Sequence, residues 1–269
     1  MEAQFSIVSV ASFGPGSGNV AALAYVDELD LGPGVNDGLL QTIAAEFAQP
    51  ITSFLNAQGD GRFRVRWFSP SAEIGLCGHG LLGGAWDIRS SGRSEGSAFA
   101  FEAPGGTYAA GADDAGAFTE IRPNLGAPCD AGASAKVAAA LGALPRECLR
   151  ARDFVAVYDS EEMVRSLKPD FEQLAALDAF GVAATAKGDH DDYVLRFFVP
   201  KQGIPEDQVT GSAQATLGPY WAERLGKSQL IVRQLSKRGG KLGVHVSPET
   251  ITVSGTVRRF ASGTLVVPI

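Results

Sequence analysis

The chain has 269 residues, 45% of them hydrophobic and 20% charged, so it can bury one large core or two ordinary ones and is not disordered. A net charge of −7 and a pI near 5.0 argue against nucleic acid as a partner, whose phosphates such a surface would repel. No apolar run of about 18 residues marks a membrane span, and Met-Glu-Ala-Gln lacks the basic start of a signal peptide, so a cytoplasmic protein is expected.

Alternation over 3–10 predicts a strand with Phe5, Ile7 and Val8 apolar, and the glycine loop 13–19 leads to a second over 21–26. That loop lacks the Gly-Lys-Ser/Thr that would close a phosphate cradle. Asn36-Asp37 is expected to cap a helix with Leu39, Leu40, Ile43 and Phe47 on one face, and Pro50 stops it before a strand over 51–55. An extended run over 64–68 follows, then Cys77-Gly78-His79-Gly80 and a helix to about Ile88 with almost no polar face, which should be wrapped on all sides.

Beyond a polar turn at 90–94, strands are predicted at 97–103, 106–110 and 117–121, with a hairpin turn at Pro104-Gly105-Gly106. Asp130 should cap an alanine-rich helix to Leu144, and 152–158 reads as a strand. Ser160 opens a helical stretch that Pro169 restarts, with Phe171, Leu174 and Leu177 apolar. A strand over 192–199 leads to a second glycine turn and a helix that Pro219 should end or kink. From Leu230 the chain reads as successive strands broken at 238–240, 248–249 and 262–263.

One plan occurs twice. Arg66-Trp67-Phe68-Ser69-Pro70 has a counterpart in Arg196-Phe197-Phe198-Val199-Pro200, and each leads to a glycine turn and an apolar segment. The spacing is far too long for a solenoid and points to a duplicated fold. Backbone N–H groups at Gly78 and Gly80, and at Gly211 and Ser212, would stand at helix N-termini, where unsatisfied donors and the macrodipole attract anions. Two such corners facing each other would hold a carboxylate while a side chain moves a proton.

With both turns in view the chain resembles the PhzF family of phenazine-biosynthesis-like isomerases. The resemblance runs through Gly18-Asn19 with Ala21-Ala22, Phe68-Ser69-Pro70-Ser71-Ala72-Glu73, Leu76-Cys77-Gly78-His79, the stretch 206–213, 219–226 and 234–240. It implies an α+β, diaminopimelate epimerase-like fold: two pseudo-symmetric halves, each a curled β-sheet or barrel around a central helix, with the active-site cleft between them. The first half is placed at 1–118, joined by a C-terminal strand near 260–269, and the second at 119–259. A homodimer, no cofactor and a small carboxylate substrate follow from the same resemblance.

In characterised members a glutamate takes and returns the proton. Here Ile51 stands where that carboxylate belongs. The family's remaining groups carry over as Gly78, His79, Asp207, Gly211 and Ser212, and three readings stay open. Asp207 and His79 could still act as base and acid. The chemistry could instead move to Cys77, since epimerases of this fold use a cysteine at that position; their second cysteine is here Thr210, and a one-cysteine site suits an α-proton elimination, as in a dehydratase, or a one-sided proton transfer better than two-base racemisation. Or the protein binds carboxylates without turning them over.

Each residue has a plainer account. Cys77 could be buried packing, Asp207 and Ser212 could be helix caps, and Trp86, Tyr220 and Trp221 are expected in the core. Glu73 and Glu46 are the nearest substitutes for the missing carboxylate, Glu46 expected to face water. His190 and His245 read as loop and strand residues. Cys77, Cys129 and Cys148 form no disulfide framework, and no His/Cys pair has the spacing of a metal site.

Overall fold

In a computed structural model, which describes residues 2–266, the chain forms two compact units. One takes the chain up to Glu120 and resumes at Ser254; the other runs Ile121–Val253.

The first unit contains β1 (Glu2–Val10), β2 (Asn19–Tyr25), α1 (Asp37–Phe47), β3 (Ile51–Gly59), β4 (Arg62–Phe68), β5 (Glu73–Ile74), α2 (Gly78–Ser90), β6 (Ala98–Ala103), β7 (Gly106–Asp113) and all but the last residue of β8 (Gly116–Ile121). Antiparallel pairs β1–β2, β3–β4, β4–β5 and β6–β7 alternate with parallel pairs β2–β3 and β4–β6. Parallel neighbours need a crossover, and α1 and α2 supply the two. From Gly80 to Ile88 α2 is buried except at Trp86, among Val8, Leu23, Leu55 and Phe101. Its one buried acid, Asp87, accepts from Tyr25 Oη (2.8 Å) and Arg259 Nη2 (2.6 Å), so the charge is paired.

The second unit contains β9 (Ala127–Pro128), α3 (Ala131–Leu141), β10 (Glu147–Arg150), β11 (Phe154–Val157), α4 (Glu161–Ser166), α5 (Phe171–Ala176), β12 (Val182–Lys187), β13 (Tyr193–Val199), β14 (Ile204–Asp207), α6 (Gln214–Leu225), β15 (Gln229–Gln234), β16 (Gly240–Val246) and most of β17 (Ile251–Gly255). Its pairings repeat the first unit's in order: β10–β11 antiparallel, β11–β12 parallel, β12–β13 and β13–β14 antiparallel, β13–β15 parallel, β15–β16 antiparallel. The last strand, β18 (Val257–Val266), returns to the first unit and pairs with β1. The expected continuation of that strand through 267–269 lies outside the described residues.

The duplicated arginines explain why each short strand stays on its sheet. Arg66, fully buried, donates through Nε and Nη2 to Glu73 on β5 (2.7 and 2.6 Å) and through Nη1 to Val35 O (2.8 Å). Arg196 does the same with Glu206 on β14 (2.9 and 2.9 Å) and Leu167 O (3.0 Å). Each guanidinium lies over the phenylalanine two residues on, Phe68 at 5.0 Å and Phe198 at 4.9 Å. A bidentate fork of this kind fixes orientation as well as position. The strand it clamps leads straight into the glycine corner.

Several local expectations change. Asn36 occupies the N-cap of α1 in the left-handed region and makes no side-chain cap; its amide donates to Asp30 O instead. Asp130 does cap α3, but Gly142 at φ 73° ends the helix before Leu144. Strands β10 and β12 had no counterpart in the sequence reading. No break occurs at Ser262-Gly263, where β18 runs on opposite Ser6 and Phe5. A Cβ at Gly263 would sit 3.0 Å from the Phe5 ring, so that glycine makes room for packing.

Pro219 lies inside α6 without ending it. The ring removes the N–H that Ala215 O would otherwise accept, and Asn124 N donates there instead (2.9 Å). Thr216 Oγ1 returns a bond to Asn124 O (2.7 Å).

Candidate functional site

The first corner is the start of α2. Cys77 is its N-cap, extended at φ −131°, with Sγ accepting from Gly80 N at 3.4 Å. Gly78, His79 and Gly80 form the first turn, whose N–H groups have no carbonyl four residues back within the helix. Cys77 Sγ lies 3.4 Å from His79 Nδ1 and 3.7 Å from Nε2, so thiol and imidazole are in hydrogen-bond contact. Burial pushes His79 down to about 4, and a hydrogen bond to the Val20 main chain only partly opposes this. At neutral pH the ring is uncharged and offers one acceptor nitrogen.

The two flanking glycines do different work. A Cβ at Gly78 would meet nothing within 4 Å, whereas one at Gly80 would lie 2.8 Å from both Ser53 Oγ and Trp67 Nε1. Those two groups are opposite each other on β3 and β4 and are 0% and 1% exposed. Both lack a hydrogen-bond partner, as does neighbouring Thr52 Oγ1. Buried polar atoms without partners are uncommon in folded proteins. Neither Ser53 nor Trp67 was singled out by the sequence, where both read as ordinary strand positions.

Ile51 opens β3 at 1% exposure, in the same apolar cluster as Cys77 and Leu81. Glu73 is no replacement for a carboxylate there, because both its oxygens are held by Arg66. Glu46 is exposed on α1.

The second corner follows β14. Thr210 Oγ1 donates to Asp207 Oδ2 at 2.7 Å, which fixes the carboxylate within its own loop. Gln234, 2% exposed, braces both residues: its Oε1 accepts from Thr210 N (2.7 Å) and its Nε2 donates to Asp207 O (2.8 Å). Gln214, fully buried, donates to Thr210 O (3.0 Å) and accepts from Tyr193 Oη. Neither Asp207 nor Ser212 caps α6, whose N-cap is Ala213 with no side-chain bond. Ser212 Oγ instead accepts from Arg152 Nη2 (3.1 Å), and Arg152 is held by Asp153 (2.7 Å) and lies over Phe180. Gly211 has ordinary space, the nearest atom to a Cβ there being Val253 Cγ1 at 3.7 Å.

The sequence alone assigns no role to these supports: Gln214 lies only four residues from Thr210, whereas Gln234 and Arg152 reach the corner across 24 and 60 positions. Trp221 is core, stacked on Tyr193 and donating to Thr185 Oγ1, while Trp86 is half-buried under Arg259. His190 and His245 are exposed. Among the described residues no group of three His, Cys, Asp or Glu side chains could hold a metal, and no helix is long and apolar enough to cross a membrane.

Comparison with known proteins agrees over nearly the full length. The family model described as phenazine biosynthesis-like protein, PhzC-PhzF, matches residues 8–263. An uncharacterised isomerase of Pseudomonas aeruginosa is 36% identical and covers 98% of this chain and 98% of its own. The crystal structure of a PhzF family protein from Enterococcus faecalis superposes with a TM-score of 0.88 at 33% identity, covering 99% of this chain and 100% of that one. A hydroxyproline epimerase from Agrobacterium vitis, at 11% identity, has a TM-score of 0.60 over 98% of this chain and 91% of its own. The fold is the α+β, diaminopimelate epimerase-like one.

Proposed function

This chain belongs to the phenazine biosynthesis-like, PhzC-PhzF, family, and from that premise we propose that it is an isomerase moving a proton on a small carboxylate substrate. The observation that carries the reading is the Cys77–His79 contact of 3.4 Å at the N-terminus of α2. The neutral imidazole can accept the thiol's hydrogen bond and take its proton only as an ion pair with the thiolate beside it, an anion that the positive end of the helix also favours. The thiolate would then remove a proton from the carbon next to the carboxylate. The N–H groups of Gly78 and His79 would hold the oxygens on which charge develops. Cys77 thereby takes the part that Ile51 cannot play. Asp207, with Thr210, Gly211 and Ser212 around it, is included as the proton-handling group of the second corner. The proposal extends to a cofactor-free, cytoplasmic homodimer that binds neither nucleic acid nor membrane.

Ile51 favours a second reading, a carboxylate-binding protein without turnover. Incubation in deuterium oxide with a panel of small carboxylates separates the two. Deuterium entering a substrate C–H, lost in Cys77→Ala and His79→Gln and reduced in Asp207→Asn, supports the isomerase. Carboxylates that raise the melting temperature yet exchange no hydrogen support the binder. Exchange that survives Cys77→Ala sinks the cysteine-based mechanism.

A further inference from the structure

Two other cysteines lie far from this chemistry in sequence and on the second unit. Cys148 is on β10 and buried at 9% exposure, and Cys129 follows β9 and is partly exposed. Their sulfurs are 2.8 Å apart, within about 1 Å of disulfide bonding distance. The main chain brings them there. Pro128 pairs with Leu149 and Ala127 with Arg150, and Cys129 N donates to Cys148 O at 2.8 Å. Residues facing each other on antiparallel strands have Cα atoms roughly 4.5–5.5 Å apart, inside the span of about 4.4–6.8 Å that a disulfide bridges without backbone movement.

We propose that Cys129 and Cys148 are a paired oxidation site that a hydroperoxide converts to a disulfide. The partly exposed Cys129 is the sulfur an oxidant reaches first. Burial and the neighbouring thiol push Cys148 up to about 12, so it stays protonated until it reacts. The Cys129 thiolate attacks the peroxide, an S–O bond forms, the O–O bond breaks, and hydroxide leaves to become water. Cys148 Sγ then displaces the sulfenic hydroxyl, the S–S bond forms, and a second water carries off the Cys148 proton. Two thiols are oxidised and one hydroperoxide is reduced, with no further reactant. The bridge closes a loop containing α3, because the two residues are 19 positions apart. It would tie β9 and the cap of α3 to β10, independently of whether Cys77 is catalytic.

The test treats the full-length protein, and separately its Cys77→Ser variant, with one equivalent of hydrogen peroxide, followed by alkylation, intact mass and peptide mapping. The expected result in both is a mass loss of two hydrogens, a Cys129–Cys148 cross-linked peptide, and a melting temperature that rises and returns on treatment with dithiothreitol. Cys129→Ser, altered at the more exposed partner, should show neither the cross-link nor the rise. Recovery of Cys129 and Cys148 as alkylated thiols, or of either as sulfinic acid without the cross-link, overturns the proposal. So does a cross-link that joins Cys77 to one of them.

Discussion

Replacing His79 by glutamine should flatten the acid limb of the stability curve. In the folded protein the imidazole titrates at about 4, against an ordinary value of 6.5, because protonation would put a charge into packed surroundings. The unfolded chain therefore binds this proton more readily. The contribution of His79 to stability is intact above pH 6.5, falls as the pH drops from 6.5 towards 4, and is level below that. Between pH 7.5 and 4.5 the two pKa values imply a loss of roughly 2–3 kcal/mol from this one group. Other groups titrate over the same range, so the informative quantity is the difference between parent and His79→Gln. Urea unfolding at both pH values should show the parent losing roughly 2–3 kcal/mol more than the variant. Parallel curves would mean that His79 is hydrated in solution and free to charge. Burial as the cause that keeps the ring neutral below pH 6.5 would then be refuted, whereas the proton-transfer scheme, which needs an uncharged imidazole only at neutral pH, would stand.

The two glycines of the first corner should separate packing from binding. Gly80→Ala drives a methyl into Ser53 and Trp67 and should cost about 1–3 kcal/mol in urea unfolding, whereas Gly78→Ala should leave stability within about 0.5 kcal/mol while lowering deuterium exchange. A Gly78→Ala protein with full exchange would remove that residue from the binding turn. Gln234→Leu leaves the buried Thr210 N–H without its acceptor and should destabilise by about 1–3 kcal/mol; an unchanged urea midpoint would show the brace to be dispensable. Ile51→Glu places a carboxyl in an apolar cluster, so it should be held neutral and the variant should lose stability relative to the parent as pH rises from 5 to 8. Equal stability at pH 8 would mean that the position is solvated.

The duplication was legible because its signals are local. Arg-x-Phe before a proline, followed by a glycine turn and an apolar run, survives in both copies as a readable string. Cys77, His79 and the first turn of α2 were legible for the same reason, as neighbours in the chain that remain neighbours in space. What stayed hidden depends on distant partners. Gln234 lies in a stretch that carries the family resemblance, yet its part as a brace emerges only when Thr210 is seen against it. Ser53 and Trp67 become informative only when β3 and β4 pair beneath Gly80. Local punctuation also misled: Ser262-Gly263 has the composition of a turn, yet that glycine answers to the ring of Phe5, far back in the sequence.

The exchange of bonds between Asn124 and the Ala215–Thr216 turn has a consequence for how the second unit is assembled. A helix carrying its proline in mid-course leaves a carbonyl bare until a residue 92 positions before Thr216 arrives. Its closing step therefore waits on a remote visitor, and the loop entropy of that encounter falls on the folding barrier.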